Sequence, residues 1–430
     1  MTRTFLMIRS VAFAFVTKLS GGATVFVALP VISHGVSSAD YATFLTTMNV
    51  TAVVGLIFLP YAILYIRELA HAFATEDRGR IRAAIRDTFG SHVFLLFVVC
   101  CVLALASIIA NMKISLSTAM IVGIILNLVQ VAASWGQLYR IAERTDHVTS
   151  IIQTATNVLM VICLLALSYT NRLSALTVCV AYFGIPAAAE IVIFAQLLVT
   201  RKLRIAIDGS AVAAFKARMP ESIPLYLSPV ADYVKVYASA MLVLIATTSY
   251  DYIVFSTSIL LMARLVNPVT LVTRPMMPAF IDALLRDDRR WLDGLRKALF
   301  GSALVGAAIA AVLPFCINKE ILTFAFPKEV RDVSFHFIVF CSYFAFSYAL
   351  VALLAPLYIG ARRAPFYGIA NLGFTLAGAA SGTLLSMKFG AAGMMGALAI
   401  ATTVCGFFLL ISMNWAKDGH VVPPPKSHPV

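Results

Sequence analysis

Charge is what this chain has least of. Only 12% of its 430 residues are Asp, Glu, Lys or Arg and 61% are hydrophobic, against about 25% charged and 45–50% apolar in a soluble domain. A mean hydropathy of +0.91 excludes a soluble globular protein and implies a polytopic membrane protein. Other absences narrow the class. The seven cysteines (100, 101, 163, 179, 316, 341 and 405) all lie in apolar runs, with no CxxC and no histidine at ligand spacing. They read as small buried hydrophobes, not as a zinc site or a disulfide framework. The seven histidines show no metal-ligand spacing either, so no metal and no cofactor is expected. The apolar runs are continuous and do not alternate with period two, which excludes a membrane β-barrel. Nor is a cleaved signal peptide legible. The apolar run after Arg9 is interrupted by Lys18 and continues to Ile32, too long for such a peptide, and reads as a retained first span.

What is present is a series of long apolar runs. About 20 apolar residues span a bilayer, and on that rule the chain holds twelve helices, at 11–32, 42–66, 91–111, 114–139, 148–169, 173–199, 222–247, 251–276, 298–318, 332–358, 366–388 and 390–415. With the N-terminus inside, 23 of the 33 Lys and Arg residues fall on inner segments, six on outer turns and four within spans. That bias sets both termini in the cytoplasm. It also accounts for the net charge of +13 without nucleic acid, because the charge is spread over every inner loop. The outer connections are short, the longest near 319–331, and leave no room for an extramembrane catalytic domain. The proline-rich end HVVPPPKSHPV reads as disordered.

The chain also repeats itself. SSADYATF (37–44) returns as SYDYIVF (249–255), and a shift of 211 aligns Ser38, Asp40, Tyr41 and Phe44 with Ser249, Asp251, Tyr252 and Phe255. Without gaps, the same shift aligns Ala52, Ala72, Asp77, Arg78, Phe89 and Gly90 with Ala263, Ala283, Asp288, Arg289, Phe300 and Gly301. LYRIAER (138–144) echoes LYIGARR (357–363) at a shift of 219. Helices 1–6 and 7–12 are thus read as parallel copies, an all-α fold of two pseudo-symmetric six-helix bundles around a central cavity. The boundaries are 1–200 for the first half, 201–221 for a cytoplasmic linker, 222–415 for the second half and 416–430 for the tail. The two SxDYxxF-like turns are read as anchors, with each tyrosine at the membrane interface and Asp40 or Asp251 capping the next helix.

Residues 18–44, KLSGGATVFVALPVISHGVSSADYATF, resemble the opening of the polysaccharide-transporter branch of the multidrug/oligosaccharidyl-lipid/polysaccharide flippase superfamily. Gly21 and Gly22, Leu29-Pro30, and the turn ending Tyr41 and Phe44 carry the likeness; Ala42 stands where that family usually has glycine. KFGAAGMMGALAIAT (388–402) is similar to the glycine turn and small-residue start of the family's twelfth helix. The resemblance implies a non-enzymatic flippase in the bacterial inner membrane. Its substrate would be a polyprenyl-diphosphate-linked oligosaccharide for O-antigen or exopolysaccharide assembly, and its partners the substrate, membrane lipids and other assembly proteins. The sequence leaves two alternatives open: a drug/cation antiporter of the same superfamily, and an integral-membrane polymerase, ligase or glycosyltransferase.

Charges inside spans cost roughly 2.5–3.5 kcal/mol each on insertion scales and usually face a polar interior. Lys18, Lys235, Arg264 and Arg274 are the four basic ones. They are candidate ligands for a diphosphate, with snorkelling or structural pairing as the plainer reading of each. Asp232, three residues before Lys235 on one helix face, is a candidate for proton coupling or simply its ion-pair partner. Glu190, in helix 6, is the other coupling candidate. Tyr233 and Tyr237, four apart, are candidates for stacking on sugars or for ordinary packing. Pro229 and Pro268 are read as hinges or static kinks, and Gly378 and Gly382 as a close helix contact.

Overall fold

In the computed structural model the chain is all helical among the described residues, which are 3–74, 77–111, 117–143, 145–201, 210–286, 288–316, 326, 333–361 and 363–413. The helices are α1 (Arg3–Gly35), α2 (Ser38–Ala74), α3 (Arg78–Asn111), α4 (Thr118–Ala142), α5 (Asp146–Tyr169), α6 (Ala175–Arg201), α7 (210–246), α8 (Ser249–Leu285), α9 (Arg289–Cys316), α10 (Phe335–Gly360), α11 (364–389) and α12 (391–411). Helix α7 begins by Ser210, so residues 210–221, part of the 201–221 stretch read from sequence as a cytoplasmic linker, belong to its first turns. The linker's remainder and the tail from 414 lie outside the described residues. Among the described residues ten helices are long and apolar enough to cross a membrane, one of them the 48-residue run Ala364–Ile411, which is two spans joined at a kink. The protein is a multi-pass membrane protein.

That kink is set by one residue. Gly390 has φ +56 and ψ −143, a conformation that L side chains rarely adopt. Its turn is tied to the start of α8, where the Ala391 amide donates to Asp251 Oδ1 at 2.9 Å. The antiparallel α11 and α12 then pack tightly: a methyl added at Gly378 would stand 2.7 Å from Ala401 Cβ, so the 378/382 pair is a close helix contact.

The repeat is visible in three dimensions. Ser37 and Thr248, 211 apart, cap α2 and α8, their hydroxyls accepting from the Asp40 and Asp251 amides at 3.2 Å each. The caps are therefore Ser37 and Thr248, not the aspartates expected from sequence. A hydroxyl at the N-cap with an acid three residues on is the capping arrangement that satisfies first-turn amides. The tyrosines also differ from expectation. Tyr41 and Tyr252 are wholly buried, between the halves and not at a membrane interface. Tyr41 Oη lies 3.0 Å from Thr257 Oγ1, and Thr46 Oγ1 lies 3.0 Å from Tyr252 Oη. Thr46 and Thr257 are themselves 211 apart, so the two bonds are the same contact made in each direction across the pseudo-twofold axis. Asn49 Nδ2 adds a donor to Tyr252 Oη at 3.0 Å.

These bonds sit in the largest apolar cluster, which draws Leu29, Ile32 and Phe44 of the first half together with Phe255, Ile259, Phe337 and Met394 of the second. It closes the bundle end that carries the 36–37, 247–248 and 390 turns, here called distal because it is remote from the termini. Toward the other, proximal end the cores separate. One cluster uses Leu69, Trp135 and Leu197 of the first half, and another uses Phe280, Leu354 and Leu409 of the second. Helix α7 crosses over: Tyr226 Oη donates to the Ile57 carbonyl and Phe215 stacks on Tyr61 with ring centroids 5.0 Å apart. Burial is thus continuous distally and divided proximally, which leaves open space between the halves from mid-bundle downward.

Candidate functional site

The space between the halves is two adjoining chambers of about 430 and 320 Å³. Ala52, Gly55, Tyr237 and Arg264 border both. The larger lies in the first half, against α1, α2, α4, α5 and α6. The smaller lies against α7, α8 and α10, lined by Asp232, Tyr233 and Tyr348.

Two π turns shape the walls. Residues Val180–Gly184 of α6 and Val234–Ala238 of α7 form wide turns, the second closed by the Ser239 amide bonding back to the Val234 carbonyl. Pro186 follows the first, where its missing N–H and bulky ring favour a wider turn upstream. The second carries both Lys235, which does not line the chamber, and Tyr237, which lines it with Tyr233. Those two rings stack, with centroids 5.7 Å apart and planes at 27°.

The sequence read Lys235 as a cavity cation, but its ammonium is enclosed in the wall. The residue is completely buried. Nζ donates to Asn371 Oδ1 of α11 at 2.6 Å, lies 3.7 Å from Asp232 Oδ1, and sits 5.3 Å from the Tyr348 ring centroid. Asp232, with its side chain 42% exposed, is the member of the pair that faces the chamber. An ion pair one partner of which is dry and hydrogen-bonded to an amide makes a charge in a span tolerable.

Arg264 is placed differently. It is half-buried at the junction of both chambers, and among the described residues it makes no hydrogen bond or ion pair. Its partner position in the repeat is Val53, so the cation breaks the twofold symmetry. The α1 and α8 backbones carry Lys18 and Arg274, whose side chains lie outside the described residues. Glu190 lines the larger chamber and is nearly buried. Gln153 Nε2 donates to its Oε1 at 3.3 Å, while Oε2 has no partner among the described residues. Glu190 and Asp232 therefore line different chambers.

Several lining residues have no counterpart in the sequence reading. Asn127 and Gln130 project from α4, and Gln153 and Asn157 from α5. Their spacings of three and four within apolar runs put each pair on one helical face, a signal present in the sequence. Among the described residues no group of three or more His, Cys, Asp or Glu comes together to hold a metal.

No protein-family model matches the chain, and no curated protein matches its sequence. Solved structures do match in shape. One is an inward-facing multidrug-resistance MATE transporter of the MOP superfamily, 11% identical, with a TM-score of 0.68 over 91% of this chain and 94% of that one. A second is the lipid II flippase MurJ in an inward closed conformation, 13% identical, with a TM-score of 0.69 over 94% and 87%. A third is a MOP-superfamily transporter from Pyrococcus furiosus described as having a binding pocket of reversed polarity, 10% identical, with a TM-score of 0.64 over 95% and 94%. Across nearly its whole length, this chain has the fold of the MOP-superfamily transporters.

Proposed function

We propose that the protein moves a polyprenyl-diphosphate-linked oligosaccharide from the cytoplasmic to the periplasmic leaflet of a bacterial inner membrane, supplying O-antigen or exopolysaccharide assembly. The observation that carries this reading is Arg264, a cation with no anionic partner among the described residues, at the meeting point of two chambers. A diphosphate head cannot cross hydrocarbon unaccompanied, and a guanidinium in a cleft of low dielectric offsets its lost hydration through paired N–H···O bonds. The proximal end is the cytoplasmic one, as the basic inner segments indicate. The halves then rock about the site so that the distal seal opens while the proximal side closes.

Each part of the wall has a role in this scheme. Arg264 holds the phosphates, and Tyr237, which borders both chambers and stacks on Tyr233, offers a ring face to the first sugar. Asp232 stays compensated by Lys235, which Asn371 holds in the wall, so it does not repel the head. Outward movement of about two negative charges against an inside-negative potential gains about 2.3 kcal/mol per charge per 100 mV if the charge crosses uncompensated. Partners are the lipid-linked substrate, membrane lipids and other assembly proteins of the membrane; neither nucleic acid nor catalysis enters the scheme.

One observation favours the runner-up, a drug/cation antiporter. Glu190 is an acid inside a chamber, one oxygen of which has no partner among the described residues, which suits a cation or a coupling proton. Charge reversal separates the two. Arg264→Glu abolishes surface polysaccharide in a cell that depends on this protein, with membrane insertion retained, if the flippase reading holds. It leaves polysaccharide untouched if the chain is an antiporter.

A further inference from the structure

We infer that the larger chamber is a subsite for a neutral, polyhydroxylated group, a sugar ring, and that Arg264 marks the border between this neutral part of the ligand and its anionic part. The inference rests on the flippase reading for the identity of the whole ligand, but its own evidence is the chamber's lining.

Four amides face the chamber: Asn127 and Gln130 from α4, Gln153 and Asn157 from α5, with Thr24 and Thr156 beside them. Each such group sits in a membrane span, where polar side chains are expensive and usually mark a ligand path. An amide offers both donors and an acceptor, and a sugar hydroxyl offers both in return. A lining of cations would suit phosphate and a lining of carboxylates would suit an amine; amides and hydroxyls suit neither in particular.

The unpartnered atoms sharpen the choice. Glu190 Oε2 and Asn127 Oδ1 are buried, line this chamber and have no hydrogen-bond partner among the described residues. Both are acceptors, and buried polar atoms are seldom left unpaired. An ionised phosphate has only acceptors to offer and would be repelled by them. A hydroxyl-bearing ring supplies the missing donors. The rings of Tyr182 and Tyr237 also line the chamber and present apolar faces for the C–H side of a sugar. Its volume of about 430 Å³ lies within the range of about 300–1,000 Å³ found for ligand pockets. The asymmetry of the repeat gives the same division: the cation Arg264 stands on α8, while its counterpart Val53 on α2 is neutral.

The test uses the full chain in nanodiscs and two separate probes. The first is an equimolar mixture of glucose, galactose, mannose, rhamnose and N-acetylglucosamine, read by saturation-transfer NMR on the sugars. The second is inorganic pyrophosphate, read by ³¹P line broadening. The subsite predicts saturation of at least one sugar by the unaltered protein. That signal should fall at least fivefold in Gln153→Leu and in Asn127→Leu and persist in the lipid-facing control Leu159→Ala. Absence of saturation in the unaltered protein, or saturation that survives both substitutions, overturns the subsite. So does thermal stabilisation by sodium without any sugar signal, which would assign the chamber to a cation. The pyrophosphate arm judges the flippase reading by itself: sugar saturation without pyrophosphate broadening overturns the diphosphate ligand and leaves the subsite standing.

Discussion

The reciprocal tyrosine–threonine bonds make a quantitative prediction about which side of the bundle opens. Tyr41→Phe/Tyr252→Phe removes both bonds across the pseudo-twofold axis and the donation from Asn49 Nδ2 to Tyr252, each 3.0 Å long. Volume and burial are almost unchanged, because only the two hydroxyls are lost. Hydrogen bonds between membrane helices are worth about 0.6 kcal/mol on average, so three contribute roughly 2 kcal/mol. The Asn49 amide, wholly buried and with its Oδ1 already unpartnered, is left with nothing to bond, which keeps the figure from being smaller. Two kcal/mol shifts a two-state equilibrium roughly 30-fold, here from distally closed toward distally open. Spin labels at Thr170 and Ser249, on the distal turns of the two halves, report the change by electron–electron distance measurement in nanodiscs, on a background with the native cysteines replaced. The double variant should gain a long-distance population that the parent lacks or barely shows. An unchanged distance distribution together with a lowered melting temperature would refute the reasoning, since the tyrosines would then act on folding alone.

Three further outcomes follow from the geometry. Lys235→Met strands Asp232 and Asn371 Oδ1; breaking a buried pair costs about 3–5 kcal/mol, reduced here to about 2–3 kcal/mol because Asp232 is 42% exposed, and Asp232→Asn added to it should recover much of the loss in a thermal melt. Gly390→Ala should lower the melting temperature, because φ is +56 there and a Cβ would overlap Asp251 Oδ1; at roughly 1–3 kcal/mol for such a backbone, an unchanged melt would mean that the turn is not held as described. Glu190→Gln should raise the melting temperature, since it replaces a nearly buried carboxyl group whose Oε2 has no partner among the described residues while keeping an acceptor for Gln153; a fall would show that the carboxyl group is needed for stability.

Much of the architecture was legible in the sequence because membrane insertion leaves few choices. Spans must be long, apolar and helical, so the twelve runs emerge directly, and the repeat at 211 exposes the two halves. The boundary at Ser210 was not legible, since the first turns of α7 are polar and carry Lys216 and Arg218. The site was legible in kind but not in detail. A charge in a span announces a polar interior, yet composition cannot say which way it turns. Lys235 turns to Asn371 within the wall, and Arg264 is left as the cation at the junction of the chambers. Tyr41 misled because tyrosine suits both a membrane interface and a buried hydrogen bond. Its threonine partner, 216 residues away, was hidden in an apolar run. The chamber amides were passed over because uncharged polar residues stand out less than charges, although their spacing of three and four was plain.

The central claim is movement of a lipid-linked sugar diphosphate past Arg264. It is tested most directly in proteoliposomes holding the purified protein and a fluorescent polyprenyl-diphosphate sugar, by following how fast the outer-leaflet probe becomes inaccessible to a membrane-impermeant quencher. The account predicts exchange well above protein-free vesicles with the unaltered chain, and exchange at the protein-free rate with Arg264→Glu. Equal exchange by both proteins would contradict it.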